Sequence, residues 1–298
     1  MKLILSNEEN ALFPIRELSE ITQVNTVTLR AWERRYGLLK PQRTAKGHRL
    51  YSQQDVSRVK AILASIAKGV PVGKVKALLA ESSDQQHSEN SNDWYLLIQQ
   101  LESVVQSHSL AKMKDFLRDS FLNYPVDLVR KEIIAPVMEK LESSDNNLAA
   151  MALFQSAVID YTMVRLNTKS SKKNQLPIML ICAQNSPMWK LALSAIELND
   201  AGYKVTLINQ PCQLSSWIAL AKQACEIPCV VFQEGVWRAE DSLNIKAFSA
   251  QQDNLFLCGT AATLAGIDSL KNVPNPESIL HFLTKDQPND EMAFNKEK

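Results

Sequence analysis

The chain has 298 residues, of which 45% are hydrophobic and 22% charged, with a formal net charge of +1 at pH 7. Such a balance is that of an ordinary soluble globular protein, long enough for two or three units with cores of their own. No apolar run reaches the ~18 residues of a membrane-spanning helix, and the opening MKLILSNEEN turns acidic too soon for a signal peptide. A cytoplasmic protein with no membrane partner is expected. The five cysteines (Cys182, Cys212, Cys225, Cys229, Cys258) form no C-x-x-C pair and mostly sit in apolar runs. Buried reduced thiols are the expected reading, with Cys225/Cys229 as the alternative, a metal site.

The near-neutral total hides a division. Residues 1–80 carry 14 Lys+Arg and 6 Asp+Glu, a net +8, which leaves −7 for the rest. A small cationic module is joined to an acidic body, and a polyanion is the natural partner of the first. Two polar stretches, Glu81–Asp93 and Thr168–Gln175, read as linkers, and the end of the chain after Thr284 as a disordered tail. The expected domains are 1–80, a linker 81–93, then 94–167, 176–284 and the tail 285–298.

In the first block, Pro14 suits the start of a helix whose face is Ile15, Leu18 and Ile21. A tight turn follows, and Asn25 or Thr26 can cap a second helix with Leu29, Trp32 and Tyr36 turned inward. Together these make a helix-turn-helix, about 14–36. Two short extended arms around Lys46–Gly47 read as a β-hairpin wing, 38–51. Ser52–Asp55 opens a third helix as a capping box, with Val56, Val59, Leu63 and Ile66 inward. Gly69 stops it, and Pro71 starts a fourth helix with Val72, Val75, Leu78 and Leu79.

Val27–Tyr51 holds seven Lys/Arg and a single acid. Thr26, Arg30 and Arg34, spaced four apart, share a face of the second helix away from the buried residues. An α-helix fits the DNA major groove, and the arginine fork suits guanine edges or phosphate oxygens. Arg35 is a further candidate that can point elsewhere. In the wing, Arg43, Lys46, His48 and Arg49 can grip the backbone beside the groove. His48 and Tyr51 can equally be packing residues of the hairpin. A solvated charged face is the bland alternative to DNA contact.

The stretch TVTLRAWERRYGLLKPQRTAKGHRLY resembles the MerR family of transcription regulators, whose pattern runs T-x-R-x-W/Y-E, G-L-L-x-P-x-R, G-x-R-x-Y. The resemblance covers about residues 11–80 and brings Thr28 and Tyr51 into the candidate DNA-binding set. It implies a homodimer on an inverted repeat of double-stranded DNA, with RNA polymerase or another regulatory protein as a further partner. The long heptad helix and nearby cysteine of the metal- and drug-sensing branch are missing after residue 80.

Four amphipathic segments between residues 94 and 167 suggest a central four-helix bundle. They include stripes at Trp94, Leu97, Leu101, Val104 and at Met113, Phe116, Leu117, with Phe154 and Tyr161 read as core. Between residues 176 and 284, strands alternate with helices. This rhythm implies a Rossmann-like, flavodoxin-type parallel sheet. The expected fold class is thus multidomain α and α/β. There is no G-x-G-x-x-G after the first strand and no P-loop, so a nucleotide site is not expected.

That order of domains resembles the light-responsive, cobalamin-binding repressors of the MerR family. In those relatives the loop after the first strand carries D/E-x-H-x-x-G, whose histidine coordinates cobalt. The same place here holds Asn185-Ser-Pro187-Met-Trp-Lys190, and the relatives' bundle motif W-x9-E-H falls on Leu141 and Met151–Ala152. Pro187 has no lone pair for a metal, Met151 and Ala152 offer neither carboxylate nor imidazole, and Trp189 adds bulk. A nearer resemblance is to the MerR-type biofilm (curli) regulators of enteric bacteria, with a degenerate cobalamin-type domain. The expectation is a DNA-binding regulator, not an enzyme, that takes no cofactor, cobalamin included. The alternative is a cobalamin-dependent, light-sensing repressor.

Overall fold

In the computed structural model, residues 12–80, 93–143, 145–168, 175–224, 226–268 and 271–285 are described. Most of both expected linkers, the tail after Lys285, His87 and Cys225 lie outside them. One compact unit comprises Met1–Ala157 and another Val158–Lys298.

The first unit opens with β1 (Phe13–Pro14), α1 (Ile15–Thr22) and α2 (Thr26–Arg34). Pro14 precedes the helix at the cap position and also pairs as a strand, which its missing N–H allows at a sheet edge. Leu18 is buried, but Ile21, expected inward, is 44% exposed. The inner face instead runs from Leu18 to Thr22, one helical turn on. Burial of Thr22 is tolerated because its hydroxyl donates to the Leu18 carbonyl at 2.6 Å. Gln23 takes the left-handed conformation that ends α1, and the Asn25 side chain caps α2 by accepting from Val27 N.

The wing is β2 (Gln42–Arg43) and β3 (Arg49–Tyr51), joined by a loop in which Gly47, at φ 81°, supplies the positive φ. β3 is central, because β1 pairs with its other side, giving a three-stranded sheet. α3 (Gln53–Ala67) starts at the Ser52/Asp55 capping box, and α4 (Val72–Ala80) follows Gly69. Leu29, Trp32, Val56, Val59, Ile62 and Ile66 make the core, with Ile62 in place of the half-buried Leu63.

Next come α5 (Asp93–Gln106), α6 (Leu110–Asn123) and a helical segment broken by a π turn. That segment is α7 (Val126–Val129), a π turn (Arg130–Ile134) and α8 (Ala135–Glu142). The cause is Pro136, which has no N–H for the Glu132 carbonyl. The ladder shifts by one residue there, and Ala135 N–H reaches the Arg130 carbonyl. α9 (Leu148–Asn167) completes the helical set and contains the division between the two units.

The second unit holds a five-stranded parallel sheet in the order β5-β4-β6-β7-β8, the flavodoxin-type order. Its strands are β4 (Pro177–Ala183), β5 (Lys204–Cys212), β6 (Cys229–Phe232), β7 (Leu255–Cys258) and β8 (Asn272–Val273). The helices are α10 (Met188–Ala201), α11 (Leu214–Gln223), α12 (Ala239–Ala250), α13 (Thr260–Leu264) and α14 (Ile279–Lys285). Trp217, Ile245 and Ala262 from α11, α12 and α13 pack with Ile181, Val231 and Leu257 in one core cluster. α10 packs against β4, β5 and α14. The C-terminal half of α9 is tied to this unit, since Arg165 makes a forked ion pair with Asp200 at 2.6 and 2.8 Å.

Candidate nucleic-acid interface

On α2 the apolar side, Leu29 and Trp32, is fully buried, while Arg30 and Arg34 are exposed and Thr26 is half-buried at the first turn. The helix is held from behind as well. Trp32 Nε1 donates to the Asn123 carbonyl at 2.9 Å, and the Tyr36 hydroxyl donates to Asn123 Oδ1 at 3.0 Å. α2 is therefore anchored to the end of α6, and its arginine face stays open. Arg35 is exposed, but five residues of helical rotation turn it well away from Arg30.

Lys46 and His48 stand exposed at the wing tip, and Arg43 is exposed on β2. Two expected contacts lie in the core instead. Thr28 is 1% exposed and Tyr51 0%. Thr28 faces the same side of α2 as the apolar residues, and Tyr51 points inward because β3 is the central strand, with Phe13 beside it. Burial pushes the Tyr51 phenol up to about 12, and Glu33 adds to the shift. Arg49 is half-buried, and its Nε donates to Glu33 Oε2 at 2.5 Å. That bond to the carboxylate raises the Arg49 guanidinium further.

Glu33 is a residue that the sequence reading left without a role. It is the single acid of the basic segment, which was the signal available. Its carboxylate takes Arg49 on one oxygen and Arg43 Nη2 on the other, at 3.0 Å.

At the other end of the chain, the loops that follow β4, β6 and β7 meet at the C-terminal ends of their strands. In a sheet of this order, that edge beside β4 is where ligands are usually held. Asn185 is exposed at φ 65°, Ser186 is buried, and Pro187 caps α10. Ser186 Oγ accepts from Glu234 N at 3.0 Å. Thr260 Oγ1 donates to Glu234 Oε2 at 2.7 Å and accepts from Gly235 N at 2.8 Å. Lys190 Nζ stands 3.7 Å from Glu234 Oε1. Gly259 is required, since a Cβ there would meet the Gln233 carbonyl oxygen at 2.5 Å. Ser186, Glu234 and Thr260 escaped sequence reasoning because they lie far apart in the chain. Leu141 is buried on α8, Met151 is half-buried and Ala152 exposed on α9. Among the described residues no group of three or more His, Cys, Asp or Glu could hold a metal ion. Cys182 and Cys229 are buried, with thiols pushed up to about 12 by that burial.

A winged helix-turn-helix with an open arginine face defines a DNA-binding regulatory protein. The family model for MerR HTH family regulatory proteins matches residues 13–82. The HTH-type transcriptional regulator MlrA of Salmonella typhimurium is 35% identical over 176 residues, 59% of this chain and 70% of that one. The MlrA of Escherichia coli K12 is 35% identical over 167 residues, 55% and 67% of the two chains. The HTH-type transcriptional repressor CarH of Myxococcus xanthus is 23% identical over 214 residues, 66% and 71% of the two. A solved monomethylamine corrinoid protein from Methanosarcina barkeri aligns at 9% identity, covering 64% of this chain and 98% of its own, with a TM-score of 0.45. The chain belongs to the MerR family of transcription regulators.

Proposed function

We propose that the protein acts as a cytoplasmic homodimer that reads an inverted repeat in double-stranded DNA. Its domains would be a head over 1–80, a bundle over 94–167 and an α/β domain over 176–284. The observation that carries this is the exposed pair Arg30 and Arg34 on α2, flanked by a wing with Lys46 at its tip. Arg30 and Arg34, with Thr26 at the first turn, would enter the major groove, while Arg43, Lys46 and His48 would hold the backbone. One winged helix reads too few base pairs for a unique site, which favours two copies. Selection of duplexes from a random pool by the full chain tests this reading. An inverted repeat bound by two chains is expected, with Arg30→Ala losing about 1–3 kcal/mol and its preference at one position. Single half-sites bound by one chain would overturn it.

The α/β domain is read as a cobalamin-type fold that works without cobalamin. Its strand-end loops offer the cofactor no fit. Pro187 has no donor atom, and the loops after β4 and β6 are tied together through Ser186 and Glu234. The ammonium of Lys190 stands beside that carboxylate, where a cobalt cation would gain nothing from it. Purification with excess adenosylcobalamin in the dark should give a colourless protein. Stoichiometric uptake, seen in the visible spectrum, would instead establish the light-sensing reading.

A further inference from the structure

Arg43 and Arg49 are directly paired across the β2–β3 hairpin. Two like charges facing each other on neighbouring strands repel, and an unbraced wing would splay or turn its arginines apart. Glu33, from the recognition helix, stands between them. One carboxylate oxygen takes Arg49 Nε at 2.5 Å and the other takes Arg43 Nη2 at 3.0 Å. The Glu33 and Arg49 side chains are 13% and 18% exposed, whereas Arg43 is 51% exposed. The inner pair is thus shielded from screening by salt, and the outer arginine keeps free donors toward solvent.

We infer that Glu33 is a positioning residue for DNA recognition, which locks the wing to the recognition helix through Arg49. It lies on the same side of α2 as Thr26 and Arg30, being seven and three residues from them. An acid there weakens attraction to phosphate in general. Its benefit is geometric, because helix and wing then reach the duplex as one rigid piece. Arg49 in turn serves as the socket for Glu33 and not as a phosphate ligand. The inference rests on reading the wing as a clamp on the DNA backbone.

The test uses the full chain, the duplex it selects from a random pool, and a random-sequence duplex of equal length. Glu33→Gln should weaken binding to the selected duplex by about tenfold and leave the random duplex unchanged or bound slightly better. Arg49→Gln should weaken the selected duplex similarly without changing the slope of affinity against salt, and the double variant should be no worse than the weaker single. Lys46→Ala, the control for the wing itself, should reduce that slope by about one. If Glu33→Gln does not fold, Arg49→Gln decides by its salt slope, and a fall of about one overturns the inference. A gain in affinity for both duplexes with Glu33→Gln, or additive losses in the double variant, overturns it as well. Should Lys46→Ala leave the slope unchanged, the wing reading itself fails, and the role of Glu33 with it.

Discussion

The winged head and the strand-end loops of the α/β unit both gather polar side chains at the tips of secondary structure, and they use them in opposite ways. In the head, Arg30, Arg34 and Lys46 project from elements whose backs are buried, and their donors remain open to solvent. In the α/β unit, Ser186, Glu234 and Thr260 satisfy one another and two backbone N–H groups. Polar groups are turned outward to solvent in one place and inward to one another in the other. Donors free to meet a polyanion make a reading surface, while groups already bonded to their neighbours make a lid of the protein's own residues.

That contrast can be broken in several ways, the largest first. Trp32→Ala should cost about 3–5 kcal/mol in denaturant unfolding, because it empties a fully buried site and removes the bond to the Asn123 carbonyl. A loss below 1 kcal/mol would mean that the recognition helix is not held from behind.

A second measurement concerns alkaline stability. The folded protein holds the Tyr51 proton to about pH 12, whereas the unfolded chain releases it from about pH 10. Stability should therefore be intact below pH 10 and fall by about 1.4 kcal/mol per pH unit as the pH rises toward 12. Among the described residues the Tyr51 hydroxyl has no hydrogen-bond partner. Tyr51→Phe should accordingly remove this alkaline limb, be neutral or stabilising near pH 7, and leave DNA affinity unchanged. A drop in affinity would return Tyr51 to the DNA-contacting set.

Thr260→Val, third, should cost about 1 kcal/mol, since Gly235 N and Glu234 each lose a partner while the shape is kept. No change in the melting temperature would show that the strand-end network is not a structural lid. Smallest is the reactivity of thiols. Buried Cys182, Cys229 and Cys258 are held protonated, so mapped alkylation of the native protein at pH 8 should leave these three unmodified over hours. Rapid labelling of any of them would mean that the sheet opens at that strand.

Where a residue's environment is set by its near neighbours in sequence, it was legible in advance. The caps at Asn25 and Ser52, the buried stripe Leu29/Trp32, the exposed Arg30/Arg34 and the parallel sheet all follow from periodicity and turn chemistry. The burial of Thr28 did not, and for Tyr51 packing in the hairpin was one of two readings left open. A family motif names the residues that matter without saying whether they touch DNA or fill the core behind it. The π turn at Arg130–Ile134 was legible in principle from Pro136, since the missing donor acts only on its own helix.

The sequence by itself determined most of the helices and strands, their polarity and the cationic character of the head, because those depend on spacings of two to four residues. Only the tertiary structure decided how charges are used. Glu33 meets arginines ten and sixteen residues away, and Trp32 finds its acceptor 91 residues further on. Ser186 and Glu234 meet across 48 residues, from the ends of neighbouring parallel strands. Such pairings depend on strand order and helix packing, and no local pattern encodes which distant donor will arrive beside a given acceptor. The tertiary structure thus separates Arg30, exposed on α2, from Arg49, already bonded to Glu33 of its own chain.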